Sequence, residues 1–142
     1  MSAKFFLDTN VFVYSRDDRD PKKQQQATDL MRRATVDRAG VVSYQVVQEF
    51  FNVVLVKAVQ KMRHQDAQDF LTTVFRPLLA VHSSATLFSE GIRLQERFKL
   101  SWYDSLIVAA ALQSECELLY TEDLQDGQRF EALTVRNPFR QG

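Results

Sequence analysis

The run Lys4-Phe5-Phe6-Leu7-Asp8-Thr9-Asn10 constrains the fold more than any other stretch of the chain. Three large apolar residues in succession, with no alternation, predict a strand buried on both faces, as in a parallel sheet covered by helices. The run ends abruptly on a carboxylate. In open parallel α/β sheets, ligand and catalytic groups gather at the carboxyl ends of strands. Asp8 therefore stands where function is expected, with Thr9 and Asn10 as hydrogen-bonding groups beside it. A plainer account is that Asp8 only caps the helical run Val11 to Tyr14, because Asp is a favoured N-cap. This stretch alone does not separate the two.

The rest of the chain alternates helices with short strands. Asp20-Pro21 supplies an N-cap and a first helical position. Ala27, Leu30, Met31 and Ala34 then predict a helix to about Arg38, stopped by Gly40. Val41-Val42 is a second strand, and Ser43 can cap the next helix, Tyr44 to Met62. That helix is apolar nearly all round, with Val46, Val47, Phe50, Phe51, Val54 and Ala58 on one face and Val53 and Val56 on another. The pattern predicts cover from the sheet and from another helix or subunit. A helix over Gln65 to Phe75 is expected to end at Arg76-Pro77, because proline restricts the residue before it. Leu78 to Val81 is a third strand. Ser84 to Lys99 and Tyr103 to Glu115 read as helices, Leu118 to Thr121 as a fourth strand and Leu133 to Val135 as a fifth. No run of strands suggests a hairpin. The pattern predicts a three-layer α/β fold, one domain over 1–142, with a central parallel sheet of about five strands.

Composition narrows the function classes. A chain of 142 residues fits one domain, and 45% hydrophobic residues, 11 of the residues being Phe, supply a real core. No apolar run approaches the length of a membrane span. Met1-Ser2-Ala3-Lys4 leads straight into a strand, so no signal peptide is expected. Cys116, the single cysteine, excludes an internal disulfide and a Cys-based metal cluster, and is expected in the core. These features together predict a cytoplasmic protein. With 18 basic and 18 acidic residues the net charge is zero, so any nucleic-acid surface must be local.

Several acids are candidates for one site. Asp123 follows a short apolar strand much as Asp8 does. If the two strands are neighbours in a parallel sheet, the carboxylates converge, with Thr121 able to hydrogen-bond one of them. The competing account is a loop acid beside Glu122 and Asp126. Asp126-Gly127 itself fits a turn, which leaves Asp126 as an additional candidate acid only. Asp104 has the capping-box spacing from Ser101 and lies in a first helical turn, where the helix dipole favours a carboxylate. Yet Ile107, Val108, Ala111 and Leu112 put it at the head of a core-facing stripe, where an acid needs a partner or a cation. Glu49 falls beside Gln45, Asn52, Val53 and Val56, away from the Phe50/Val54 stripe, and a solvated Glu is the default there. In favour of a role is its place in the second turn of a helix that starts just after a strand. Carboxylates brought together raise one another's pKa. A divalent cation removes that repulsion, and hard oxygen donors suit Mg²⁺ or Mn²⁺. His64 and His82 are isolated and expected to be surface or structural, so no zinc site is expected.

Four segments, taken in order, carry a resemblance. They are Phe6-Leu-Asp8-Thr-Asn10, Ser43-Tyr-Gln-Val-Val-Gln-Glu49-Phe, Trp102-Tyr-Asp104-Ser-Leu-Ile-Val-Ala-Ala and Leu119-Tyr-Thr-Glu-Asp123. Together they resemble the PIN-domain family, most closely the VapC-type toxin ribonucleases of bacterial type II toxin–antitoxin pairs. The resemblance implies a Rossmann-like parallel sheet and a Mg²⁺- or Mn²⁺-dependent RNA endonuclease that leaves a 5′-phosphate and a 3′-hydroxyl. By motif, its catalytic and metal-holding acids fall on Asp8, Glu49, Asp104 and Asp123, supported by Thr9, Asn10 and Thr121. It also implies an RNA substrate, a cognate antitoxin and a homodimer. Lys22, Lys23, Arg32, Arg33, Lys57, Lys61 and Arg63 are available for flanking phosphates, with none singled out. Other classes stay open: a non-catalytic PIN fold that binds RNA or protein, an RNA-processing nuclease outside a toxin–antitoxin pair, or a phosphotransferase with Asp8 as nucleophile. Asn10 counts against the last, which needs a second acid there. No Gly-rich dinucleotide fingerprint follows the first strand.

Overall fold

The computed structural model describes residues 4–140, so the expectation resting on Met1-Ser2-Ala3 lies outside the described residues. In chain order the elements are β1 (Phe5–Leu7), α1 (Thr9–Tyr14), α2 (Pro21–Val36), β2 (Gly40–Ser43), α3 (Tyr44–Asn52), α4 (His64–Phe70), α5 (Arg76–Leu78), β3 (Leu79–Val81), α6 (Ala85–Phe98), α7 (Trp102–Gln113), β4 (Leu118–Tyr120), β5 (Arg129–Phe130) and β6 (Leu133–Arg136). The strands form one sheet in the order β3-β2-β1-β4-β6-β5. Successive side chains of a strand point to opposite faces. All three of β1 are nonetheless buried, so helices cover both faces and the fold is three-layered. β1 pairs in parallel with β2 on one side and β4 on the other. The ends of β1 and β4 thus lie side by side, with Leu7 opposite Tyr120.

The sheet has six strands rather than five, and its outer edge is antiparallel: β5 and β6 form a tight hairpin with Phe130 opposite Leu133. The expectation of no hairpin fails because β5 is two residues long, too short for any periodicity to register.

α2 ends at Val36, short of the expected Arg38, and Arg38 takes a left-handed backbone conformation. Gly40 is therefore not the stop. It is the first residue of β2, and a Cβ there would lie 2.2 Å from Ala34 Cβ, so its missing side chain lets α2 press onto the sheet. The long helix expected from Tyr44 to Met62 runs as α3 to Asn52 and then widens into a π segment, Val53–Lys57, where it stops. A second π segment, Leu71–Phe75, follows α4, and the chain passes helically through Arg76 and Pro77 instead of breaking there. Arg76 keeps helical angles, so the expected break before proline does not occur. Ser43 occupies the N-cap of α3 by position, but its hydroxyl makes no capping bond.

An aromatic knot fixes α1 in place. Phe12 packs on Phe75, ring centroids 4.9 Å apart, and Phe50 stacks on Phe70 at 4.7 Å. The segment that leaves β1 is therefore anchored within one turn of Asp8. Cys116 is buried, as expected. Among the described residues no helix is long and apolar enough to cross a membrane.

Candidate active site

β1 ends at Leu7 and α1 begins at Thr9, so Asp8 is the one residue between strand and helix. The capping account of Asp8 holds, and its carboxylate is held from a second side as well. As N-cap, its Oδ1 accepts from the Thr9 backbone N–H at 2.7 Å. Its Oδ2 accepts from the Thr121 hydroxyl at 2.8 Å, across from the end of β4. Asp8 is only 5% exposed and has no cationic partner among the described contacts. Burial pushes its pKa up to about 7, the Thr9 and Thr121 bonds oppose that, and the charges of Asp123 and Glu49 add to it.

Thr121 joins two acids. Besides donating to Asp8, its oxygen accepts from the Asp123 backbone N–H at 3.1 Å and from Asn10 Nδ2 at 3.3 Å. Asn10 Nδ2 also reaches Asp123 Oδ2 at 3.3 Å. The Asp123 pKa is raised by burial, lowered by the Asn10 bond, and raised again by the charges of Asp104, Glu122 and Glu49.

Glu49 departs from the solvated default. It is half-buried, with its carboxylate held from two sides: Thr9 Oγ1 donates to Oε2 at 2.9 Å and Gln45 Nε2 to Oε1 at 2.7 Å. The face of α3 that carries Gln45 and Glu49 therefore looks onto α1. Gln45 is an i,i+4 neighbour on the same helix, but Thr9 lies 40 residues away, so helical arithmetic could not find it. Asp104 is half-buried in the first turn of α7, and Ser101 Oγ accepts from its backbone N–H at 3.2 Å. The capping account of that turn thus holds through the Asp104 backbone, which leaves the carboxylate free to add to the charge around Asp123.

The structure does not bring Asp126 into this group. Its Oδ1 accepts from Asn137 N at 2.8 Å and its Oδ2 from Arg140 at 3.1 Å, which fastens the C-terminal segment instead. Gly127, in the left-handed region, makes the expected turn. His64 and His82 are exposed.

A cleft of about 510 Å³ opens beside the cluster, lined by Thr9, Asn10, Glu49 and Asp123 with Tyr14 and Glu122 on its wall; Asp8 and Asp104 are not among its lining residues. Glu122 is a residue that sequence reasoning left unassigned. It accepts from Tyr14 Oη at 2.7 Å, a bond that raises the Tyr14 pKa against the opposing effect of Lys23, and from Lys23 Nζ at 3.3 Å; the two contacts fix the loop that bears Asp123. Of the basic residues considered from sequence, Lys57 alone lines the cleft; Arg19 joins it but forks onto Asp17 at 2.9 and 3.0 Å. Lys23 pairs with Glu122 on the cleft wall, Arg32 and Arg63 pair with acids elsewhere, and Arg33 lies over the Phe5 ring.

The donors at this site are carboxylate, hydroxyl and amide oxygens, the set a hard divalent cation takes. Among the described residues no three acidic, His or Cys side chains are gathered tightly enough to enclose an ion. The fit is one of donor chemistry and of unrelieved negative charge.

The PIN domain family model matches residues 5–130. No curated relative matches the chain in sequence. Solved structures match its fold. FitAcB from Neisseria gonorrhoeae is 18% identical over 96% of this chain and 99% of its own, with a TM-score of 0.68. A toxin–antitoxin complex from Klebsiella pneumoniae is 18% identical over 96% and 98%, at 0.60. VapC20 from Mycobacterium tuberculosis, described as a sarcin–ricin loop cleaving toxin, is 17% identical over 84% and 90%, at 0.62.

Proposed function

The chain belongs to the PIN-domain family, and from that premise we propose that it is a Mg²⁺- or Mn²⁺-dependent endoribonuclease, the toxin of a type II toxin–antitoxin pair. The observation that carries the reading is Asp8. It is a buried carboxylate at the carboxyl end of the central strand, held by two neutral donors, raised further by the charges of Asp123 and Glu49, and without a cationic partner among the described contacts.

In this reading Asp8, Asp104 and Asp123 hold the cation and Glu49 completes the site. A bound divalent cation supplies an activated water and neutralises charge that builds on the phosphate. The chain's own residues do the rest. Thr9 N–H and the Thr121 hydroxyl fix the Asp8 carboxylate in one orientation. Thr9 Oγ1 and Gln45 aim Glu49, which can orient the attacking water or take its proton. Asn10 steadies Asp123, and Lys57 at the cleft wall suits a flanking phosphate. In-line attack leaves a 5′-phosphate and a 3′-hydroxyl.

The neighbours named as toxins and toxin–antitoxin complexes support an antitoxin partner and a cytoplasmic setting. A homodimer belongs to the same reading. Phe88, Ile92, Trp102 and Tyr103 leave an apolar face uncovered on α6 and α7. A monodisperse monomer by light scattering at micromolar concentration counts against it.

The test is Asp8→Asn. Cleavage of structured RNA with Mg²⁺ or Mn²⁺ is expected to disappear while circular dichroism stays that of the wild type. Full activity in the folded variant sinks the assignment.

A further inference from the structure

Gln45 is a long polar side chain only 4% exposed, in the first turn of a helix whose neighbouring residues build the core. Such burial is uncommon for Gln and costs free energy unless its amide is bonded. Its Nε2 carries two hydrogens and both are committed: one to Glu49 Oε1 at 2.7 Å, the other to the Tyr103 backbone carbonyl at 3.2 Å. The first bond alone is an ordinary i,i+4 helix pair. The second is not local. It crosses 58 residues to the first turn of α7, one residue before Asp104. Thr9 Oγ1 holds the other oxygen of Glu49. One unbroken chain of hydrogen bonds therefore runs from α1 through Glu49 and Gln45 to the start of α7, linking three elements that each carry or adjoin an acid of the site.

Resting on the nuclease reading, we propose that Gln45 is a positioning residue, which sets the spacing between Glu49 and Asp104 and so the strength with which the acid cluster takes its cation. Gln45→Met tests it, because the side chain keeps its length and approximate volume but loses both donors, freeing Glu49 Oε1 and the α7 turn together.

The experiment is a Mn²⁺ titration of thermal unfolding without RNA, run beside steady-state cleavage. Groups that orient metal ligands typically affect affinity or activity 10- to 100-fold, so Mn²⁺ affinity and kcat are each expected to fall about tenfold while KM for RNA stays within about twofold. In a Glu49→Gln background the same substitution is expected to add little, since the path runs through Glu49. A purely structural role predicts something else: Gln45→Met lowers the melting temperature equally with and without Mn²⁺ and leaves the metal affinity unchanged, which overturns the proposal. If Gln45→Met does not fold, Gln45→Asn, which keeps the amide on a shorter stem, is measured in its place and must show the same weakened Mn²⁺ affinity. A wild type that neither cleaves RNA nor is stabilised by Mn²⁺ overturns the nuclease reading and this inference with it. A wild type that does both, beside a Gln45→Met variant indistinguishable from it, overturns this inference alone.

Discussion

Two groups of carboxylates in this molecule are built in opposite ways. On the surface, Glu131 in the β5–β6 hairpin receives Arg93 at 2.8 Å and Arg97 at 2.7 Å from α6, and Arg93 also grips Glu90 at 2.8 Å. The Arg93 hydrogen bond holds the Glu131 carboxyl below its usual range. At the ends of β1 and β4, Asp8 and Asp123 have, among the described residues, only neutral donors, and burial drives both carboxyls up. The chain has 18 basic residues and places none against Asp8. Lys23 goes to Glu122 on the cleft wall instead. The surface group is satisfied by cations of the chain; for the buried group no cationic partner appears among the described contacts.

The contrast can be broken most severely by pH. A carboxyl raised from 3.8 to about 7 in the folded state represents roughly 4 kcal/mol, at about 1.4 kcal/mol per pH unit. The folded protein binds this proton more tightly than the unfolded chain. Its stabilising effect is therefore full below about pH 4 and lost as pH rises through about 7. In EDTA, wild type is expected to lose stability between those limits. Asp8→Asn is expected to flatten the profile and to exceed wild type at pH 8. Urea midpoints across that range check both; a flat wild-type profile means that the buried group is not strained as described.

Metal should reverse the loss. At 100 times its dissociation constant, a cation that binds only the folded state adds about 2.7 kcal/mol by mass action. Mg²⁺ or Mn²⁺ is expected to raise the melting temperature of wild type clearly and of Asp104→Asn much less, with cleavage collapsing in the variant. Equal shifts and equal cleavage reduce Asp104 to a residue of the helix start.

The smallest effect belongs to the surface group. Glu131→Gln exposes two arginines that water already reaches, so it is expected to cost less than about 1 kcal/mol, to matter less in high salt and to leave cleavage unchanged. A larger cost in a denaturant titration would mean that the hairpin, not the cluster, carries the electrostatic weight.

The sequence makes some of this legible for physical reasons. Phe5-Phe6-Leu7 announces a strand covered twice, and Asp8 and Asp123 announce themselves by following strands that turn out to be neighbours. Asp104 is visible through its cap with Ser101, because that contact spans three residues. Glu49 and Gln45 are not visible as a pair with a task, since their partners Thr9 and Tyr103 are 40 and 58 residues away. Glu122 is hidden likewise behind Tyr14 and Lys23. Asp126 misleads in the other direction: it is acidic and close to Asp123 in the chain, but its carboxylate serves Asn137 and Arg140. Strand ends are local signals; the bonds that aim side chains across the sheet edge are not.

The π segment Val53–Lys57 bears on what the cleft wall is made of. A π turn bonds i to i+5 where an α turn bonds i to i+4, so it takes up one residue more. In an uninterrupted α-helix the side chain in line with Glu49 two turns on is that of Val56. Here Val56 points away, 61% exposed, and Lys57 lines the cleft with Asn52 and Val53. One surplus residue thus exchanges a valine for an ammonium group beside an acidic pocket. Deleting a single residue within 53–56 would remove the surplus and set the lysine seven places after Glu49, in line with it in a plain α-helix, so the charge at the cleft is expected to outlast the π turn that now places it there.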